Sequence, residues 1–166
     1  SSAAVLRMVR GLRDVLQRMP VPSSTAWTSY VQTSTYSAAQ FAKKRAVVER
    51  WIDARVGAHD VVMDVGCNTG VYARLAAARA RQVIAIDADM PCIDEIWRTA
   101  PPNILPLVVD FADATAPSGW ALREQRAFSS RVRPDVSLWL AVVHHLAIRN
   151  GIRLEQVCRG ILAVRS

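Results

Sequence analysis

The stretch Val61-Val-Met-Asp-Val-Gly-Cys-Asn-Thr-Gly70 constrains the fold of this chain more than any other. A short apolar run carries Asp64 near its end. A turn of small residues follows, with glycines at 66 and 70. Then comes Val71-Tyr-Ala-Arg-Leu-Ala-Ala-Ala78, rich in helix formers. Strand, tight loop and helix in this order put the loop at the C-terminal edge of a parallel sheet, where open α/β folds bind ligands. Glycines let a ligand approach the backbone closely. The helix start adds unpaired N–H groups and a positive dipole end. Taken alone, the segment also reads as a purely structural strand-to-helix turn.

Three more runs share the pattern. Gln82-Val-Ile-Ala-Ile-Asp87 ends in an acid about twenty residues after the first loop, where nucleoside-binding α/β folds place the acceptor for ribose hydroxyls. A carboxylate suits that role because it only accepts hydrogen bonds, and it disfavours a 2′-phosphate. Asp87 can instead cap a helix starting at Met90-Pro91, since proline fits a first turn. Asp89 is the better placed cap, which leaves Asp87 available. Ile104-Leu-Pro-Leu-Val-Val-Asp110 ends in an acid followed by Phe111. Asp135-Val-Ser-Leu-Trp-Leu-Ala-Val-Val143 leads into His144-His145-Leu146. Strands are expected near 61–65, 82–86, 104–109 and 136–142.

The loop lacks the third glycine of the dinucleotide fingerprint G-x-G-x-x-G, and an acid precedes it. Asp64-Val-Gly-Cys-Asn-Thr-Gly70 instead resembles the first motif of class I S-adenosylmethionine-dependent methyltransferases. The layout from Trp27-Thr-Ser-Tyr30 through Phe41-Ala-Lys-Lys-Arg45 to His144-His-Leu-Ala-Ile148 looks like a poorly characterised bacterial group related to nodulation-type methyltransferases. The resemblance covers most of residues 20–160. It implies a Rossmann-like α/β fold with N-terminal helices and a parallel sheet of order 3-2-1-4. The family's further C-terminal strands are expected to be missing.

The same resemblance implies S-adenosyl-L-methionine as cofactor. Asp64 would hold its amino group, directly or through water. Gly66, Cys67, Asn68 and Gly70 would lie along its methionine and ribose portions, with Asn68 able to hydrogen-bond it or to serve as a turn residue. Asp87 would take the ribose, with Ala88 in the same binding set. Asp110 would take the adenine amino group, and Phe111 would lie against the purine. Lys44 would reach the methionine carboxylate, or is a surface lysine beside Lys43 and Arg45. His144 and His145 follow the strand beneath the transferred methyl group. Either can deprotonate an acceptor, since imidazole titrates near neutral pH, or organise the pocket mouth as a structural histidine. No metal site is expected.

The implied reaction is methyl transfer to an unidentified small-molecule or carbohydrate-like acceptor. The Asn/Asp-Pro-Pro-aromatic signature of enzymes that methylate amide or nucleobase amino nitrogens does not occur after the fourth run. Two other classes stand beside this reading. One is a cofactor-binding or interaction protein of the same fold without transfer activity. The other is an RNA methyltransferase, favoured only by the net charge of +7. All but Lys43 and Lys44 of the 21 basic residues are arginines, and they are scattered, as a solvated surface would have them.

A chain of 166 residues with 51% hydrophobic residues fits one packed domain. Residues 1–37 are expected to form a helix and loop acting as cap or lid, and 38–166 a partial methyltransferase domain. No apolar run reaches the roughly 20 residues that span a bilayer, and the first residues lack a signal-peptide layout. A cytoplasmic protein without a membrane partner is therefore expected; the sequence fixes no oligomeric state. Cys67, Cys92 and Cys158 are too widely spaced for a zinc or disulfide framework.

Residues 3–19 read as an amphipathic helix with Val5, Val9, Leu12, Leu16 and Met19 in register, ended by Pro20 and Pro22. A loop over 23–36 offers Tyr30 and Tyr36 as a lid. A helix over 38–56 carries Phe41, Val48, Ile52 and Val56 on one face. The connection 111–134 is expected to hold a short helix from Leu122 to Phe128; its Arg123, Arg126, Arg131 and Arg133 either contact substrate or belong to an exposed helix and loop. A final helix runs from Leu154 to Val164. The acceptor is expected to enter between the 23–36 loop and the His144–His145 turn.

Overall fold

Each of the four apolar runs supplies a strand of one parallel sheet. The computed structural model describes residues 2–19, 24–25, 27–28, 37–114 and 116–165. The strands are β1 (Val61–Val65), β2 (Gln82–Asp87), β3 (Ile104–Val108) and β4 (Val136–Leu138), in the expected order β3-β2-β1-β4. Register places Asp64 opposite Ala85 of β2 and Leu138 of β4, so three strand ends meet at one edge. The helices among the described residues are α1 (Ser2–Arg18), α2 (Ala38–Arg55), α3 (Val71–Ala77), α4 (Met90–Thr99), α5 (Phe128–Arg131) and α6 (Leu154–Arg165).

Side-chain alternation along the strands builds a core on each face. Val62, Val83 and Ala85 pack under Val48 and Ile52 of α2, Ala73 and Ala76 of α3, and Ile93 and Ile96 of α4. Val61, Met63, Val65, Ile84 and Ile86 meet Phe128, Val132 and Val164 on the other face. Burial on both faces is why β1 and β2 read as continuous apolar runs rather than alternating ones. Ser37 and Gln40 form a reciprocal capping box at the start of α2. Asp89 caps α4 as expected, accepting from the Cys92 N–H at 3.3 Å, with Pro91 in the first turn.

Two expectations need correction. β4 stops at Leu138 instead of running to 142. It pairs only with Val62–Asp64, and beyond that β1 gives way to the glycine loop, so no straight backbone is left to pair with. Ala141 then turns with φ +61, and a π-helical turn spans His145–Arg149. The helix expected from Leu122 to Phe128 is replaced by a 3-10 turn over Trp120–Leu122 and the later α5. Gly119, Ala121 and Leu122 all have positive φ, and Ser118 and Gln125 exchange backbone hydrogen bonds of 3.0 and 3.1 Å. Finally, α1 forms as expected, but none of its residues is buried, so its apolar stripe joins neither core.

Candidate functional site

The C-terminal edge of the sheet opens into a cavity of about 480 Å³, within the range of small-molecule sites. Asp64, Gly66, Cys67, Asn68, Asp87, Ala88, Asp110, Phe111, Lys44 and His145 all line it. Gly70 and His144 do not. Tyr30 and Tyr36 lie outside the described residues, as does most of the 23–36 loop. Arg123, Arg126, Arg131 and Arg133 are not on the cavity wall. Arg123 lies in a loop closed by the Ser118–Gln125 pairing.

The glycine loop is stitched into the protein. The N–H groups of Gly66 and Cys67 both donate to the Ile86 carbonyl, at 2.9 and 3.0 Å. The Asn68 N–H donates to Asp87 Oδ2 at 2.8 Å. The Thr69 N–H donates to Asn68 Oδ1 at 2.8 Å, and the Gly70 N–H to the Cys67 carbonyl at 2.9 Å. Every backbone donor from 66 to 70 is therefore used internally. The loop itself therefore offers no N–H for a pyrophosphate cradle.

The glycines are also demanded by the fold itself. Gly66 has φ +67, and a Cβ built there would lie 2.3 Å from Val142 Cγ2. Gly70 has φ +81, and its Cβ would meet Ile96 at 3.0 Å. Both are required by left-handed backbone and by neighbouring protein. Asn68 likewise holds the turn at φ +49, and its Nδ2 donates to the Trp27 carbonyl at 2.7 Å. Its side chain is thus committed to protein partners.

Asp64 is the most unusual group. It lies inside β1, 1% exposed, on the same face as Val62. The residue lines the cavity, and its buried Oδ2 has no hydrogen-bond partner among the described residues. Burial pushes its carboxyl from an ordinary 3.8 to about 7; the Ala73 backbone N–H opposes the rise and the negative field of Asp87 adds to it. Ala73 sits in the first turn of α3, whose cap Gly70 has no side chain to offer, so Asp64 supplies a carboxylate there. A buried polar atom without a partner is costly unless a ligand completes it.

Asp87, at the end of β2, accepts one N–H at each oxygen: Asn68 at Oδ2 and Asp89 at Oδ1, 2.9 Å. Burial raises its pKa, against the opposing Asp89 and Asn68 N–H groups. The Ala88 N–H also favours its charged form, and a carboxylate's roughly four acceptor positions still leave room for a hydroxyl. Asp110 spends Oδ1 on the Ala112 N–H at 2.9 Å. Phe111 lines the wall while its ring packs edge-to-face on Trp139, centroids 4.6 Å apart. The Cys67 thiol is buried, and burial pushes its pKa up, so it is a filler and not a nucleophile.

The opposite rim is basic and aromatic. His145 lies edge-on to Trp27 at 5.3 Å and 4.0 Å from the ring of His144. Desolvation lowers its pKa, and the positive fields of His144 and Arg149 add to the effect. The Arg149 guanidinium sits 5.9 Å from the Trp27 ring centroid, and Lys44 Nζ 5.6 Å from that of Tyr72. Trp27 is tied down twice: through Asn68, and through Thr25, whose Oγ1 donates to Asp89 Oδ2 at 2.8 Å. Trp27, Tyr72, Asp89 and Arg149 are cavity residues that sequence reasoning did not assign. Tyr72 was findable, since the turn after a glycine loop faces the same edge. Trp27 and Arg149 carried no local signal.

No family model matches the chain. It is 30% identical over 151 residues to the nodulation protein NoeA of Rhizobium meliloti (strain 1021), covering 89% of this chain and 31% of that relative. The chain thus spans about a third of the length of the curated relative it matches. Among solved structures it is similar to the DhpI-SAM-HEP complex, with a TM-score of 0.60 at 16% identity, over 85% of this chain and 56% of that one. It is also similar to the N-methyltransferase NodS from Bradyrhizobium japonicum WM9, with a TM-score of 0.53 at 15% identity, over 75% and 60% of the two chains. The chain has the Rossmann-like fold of class I methyltransferases, with four of its strands among the described residues.

Proposed function

We propose that this chain is the S-adenosyl-L-methionine-binding part of a methyltransferase acting on a small-molecule or carbohydrate-like acceptor. One observation carries the reading: the cavity's strand ends present carboxylates, headed by the buried unpartnered Asp64 Oδ2, while the glycine loop has no N–H to spare. That donor set fits a ligand rich in hydrogen-bond donors and positive charge. It does not fit a dinucleotide pyrophosphate. The likeness to an N-methyltransferase and to a complex containing SAM points the same way.

In this reading Asp64 holds the cofactor's ammonium group, Asp87 its ribose hydroxyls and Asp110 its adenine amino group, with Phe111 and Ala88 along the purine side. Lys44 lies on the wall where the methionine carboxylate would need a cation. The cofactor supplies an electrophilic methyl group on a cationic sulfur. The protein's part is positioning and proton handling. His145, held neutral by its lowered pKa, accepts a proton from the acceptor; His144, outside the cavity, positions it by ring contact. Gly66, Cys67, Asn68 and Gly70 shape the loop. Residues 1–37 serve as cap, with Trp27 as its inner surface. Three free cysteines fit a reducing, cytoplasmic setting.

Calorimetry with S-adenosylhomocysteine and NAD in parallel tests the proposal. One site for S-adenosylhomocysteine and none for NAD is expected. Heat from NAD alone would replace methyl transfer with hydride chemistry.

A further inference from the structure

The strongest feature outside the cavity is α1. Met8, Val9, Leu12, Val15 and Leu16 lie within an arc of about 120° on the helix, and each is between 52% and 66% exposed. Arg7, Arg10, Arg13 and Arg18 occupy the remainder of the circumference. Asp14 is the only acid on the helix, and Arg13 already holds it at 2.9 Å. The helix therefore presents an apolar stripe flanked by cations, attached to a chain whose net charge is +7.

We propose that α1 docks the protein on an anionic lipid surface, with its stripe in the acyl boundary and its arginines among the headgroups. No helix among the described residues is long and apolar enough to cross a membrane, but lying in the interface needs only this pattern. Arginine stems can cover the edges of the stripe while the guanidinium groups reach phosphate. Charge selects this occupant. A second copy of α1 would bring arginine flanks together with only Asp14 to offset them. A nucleic acid would take the arginines but leave the stripe in water. Anionic lipid satisfies both faces at once.

The test is co-sedimentation of the whole 166-residue chain with vesicles of phosphatidylcholine containing roughly a third phosphatidylglycerol, and with phosphatidylcholine alone. Binding to the anionic vesicles is expected, roughly tenfold or more above the neutral ones. It should weaken between about 0.1 and 1 M salt, where the Debye length falls from about 10 to 3 Å. At about fivefold per arginine, Arg7→Gln/Arg10→Gln/Arg13→Gln should lose about a hundredfold. Leu12→Asn/Leu16→Asn should lose roughly tenfold or more. Both variants should keep the wild-type melting temperature, because α1 contributes no buried residue. Equal binding to both vesicles, or to neither, overturns the proposal. So does a dimer in sedimentation velocity that Leu12→Asn/Leu16→Asn abolishes, since the stripe would then belong to a second copy.

Discussion

Replacing Asp64 by Asn should stabilise the protein while weakening its hold on cofactor. Asp64 is buried, and its Oδ2 has no partner. Its carboxyl moves from 3.8 to about 7, which at about 1.4 kcal/mol per tenfold disfavours the charged form by about 4 kcal/mol. The sign follows from linkage. The folded state holds this proton between pH 3.8 and about 7 while the unfolded chain releases it. Folding stability from this group is therefore full below 3.8, falls as pH rises, and is lowest above about 7. Asparagine keeps the shape and an acceptor for Ala73 but carries no charge. Urea unfolding of the ligand-free proteins should show the variant and wild type alike near pH 3.8, with the variant ahead by up to about 4 kcal/mol at pH 8. S-Adenosylhomocysteine, which keeps the ammonium but not the sulfonium, should bind the variant more weakly by about 1–3 kcal/mol. A variant less stable than wild type at pH 8 would refute the burial argument. Unchanged affinity for S-adenosylhomocysteine would remove Asp64 from the ammonium.

Gly66→Ala should cost about 1 kcal/mol for its positive φ plus about 1–3 kcal/mol for the collision with Val142. Adding Val142→Ala should recover the collision but not the backbone term, and strictly additive losses in denaturant unfolding would show that the two do not meet. Asp87→Ala should weaken S-adenosylhomocysteine by about 1–3 kcal/mol and lower the melting temperature, because the Asn68 and Asp89 N–H groups lose their acceptor; calorimetry beside thermal unfolding checks both. With an active longer protein, the rate should fall only as pH drops below 6.5, because burial, His144 and Arg149 make His145 harder to protonate. Full turnover in His145→Ala would drop the base role.

Local chemistry determined much of this molecule from the sequence alone. Runs such as Val61–Val65 and Gln82–Asp87 are apolar throughout because both sheet faces are covered, so the starts of the strands were legible, while their order came from the family resemblance. Asp89 before Met90-Pro91 announced a helix start that depends on neighbours within one turn. Acids at strand ends pointed to one edge, and Asp64, Asp87 and Asp110 do share one cavity.

What the tertiary structure decided depends on residues far apart in the chain. Gly66 is required by Val142, a contact that forms only once β4 lies beside β1. The end of β4 was set by where its partner strand turns away, not by its own apolar residues, which continue to Val143. The loop N–H groups are consumed by Ile86 and Asp87, which register alone brings to them. His145 and not His144 faces the cavity because a π-helical turn, invisible in the local pattern, sets the rotation there. Trp27 reaches the site because its carbonyl accepts from Asn68 and because Thr25, which its N–H donates to, is bonded to Asp89. Propensity and capping act within a turn or two of chain; burial, register and rotation are fixed only when distant segments compete for the same space.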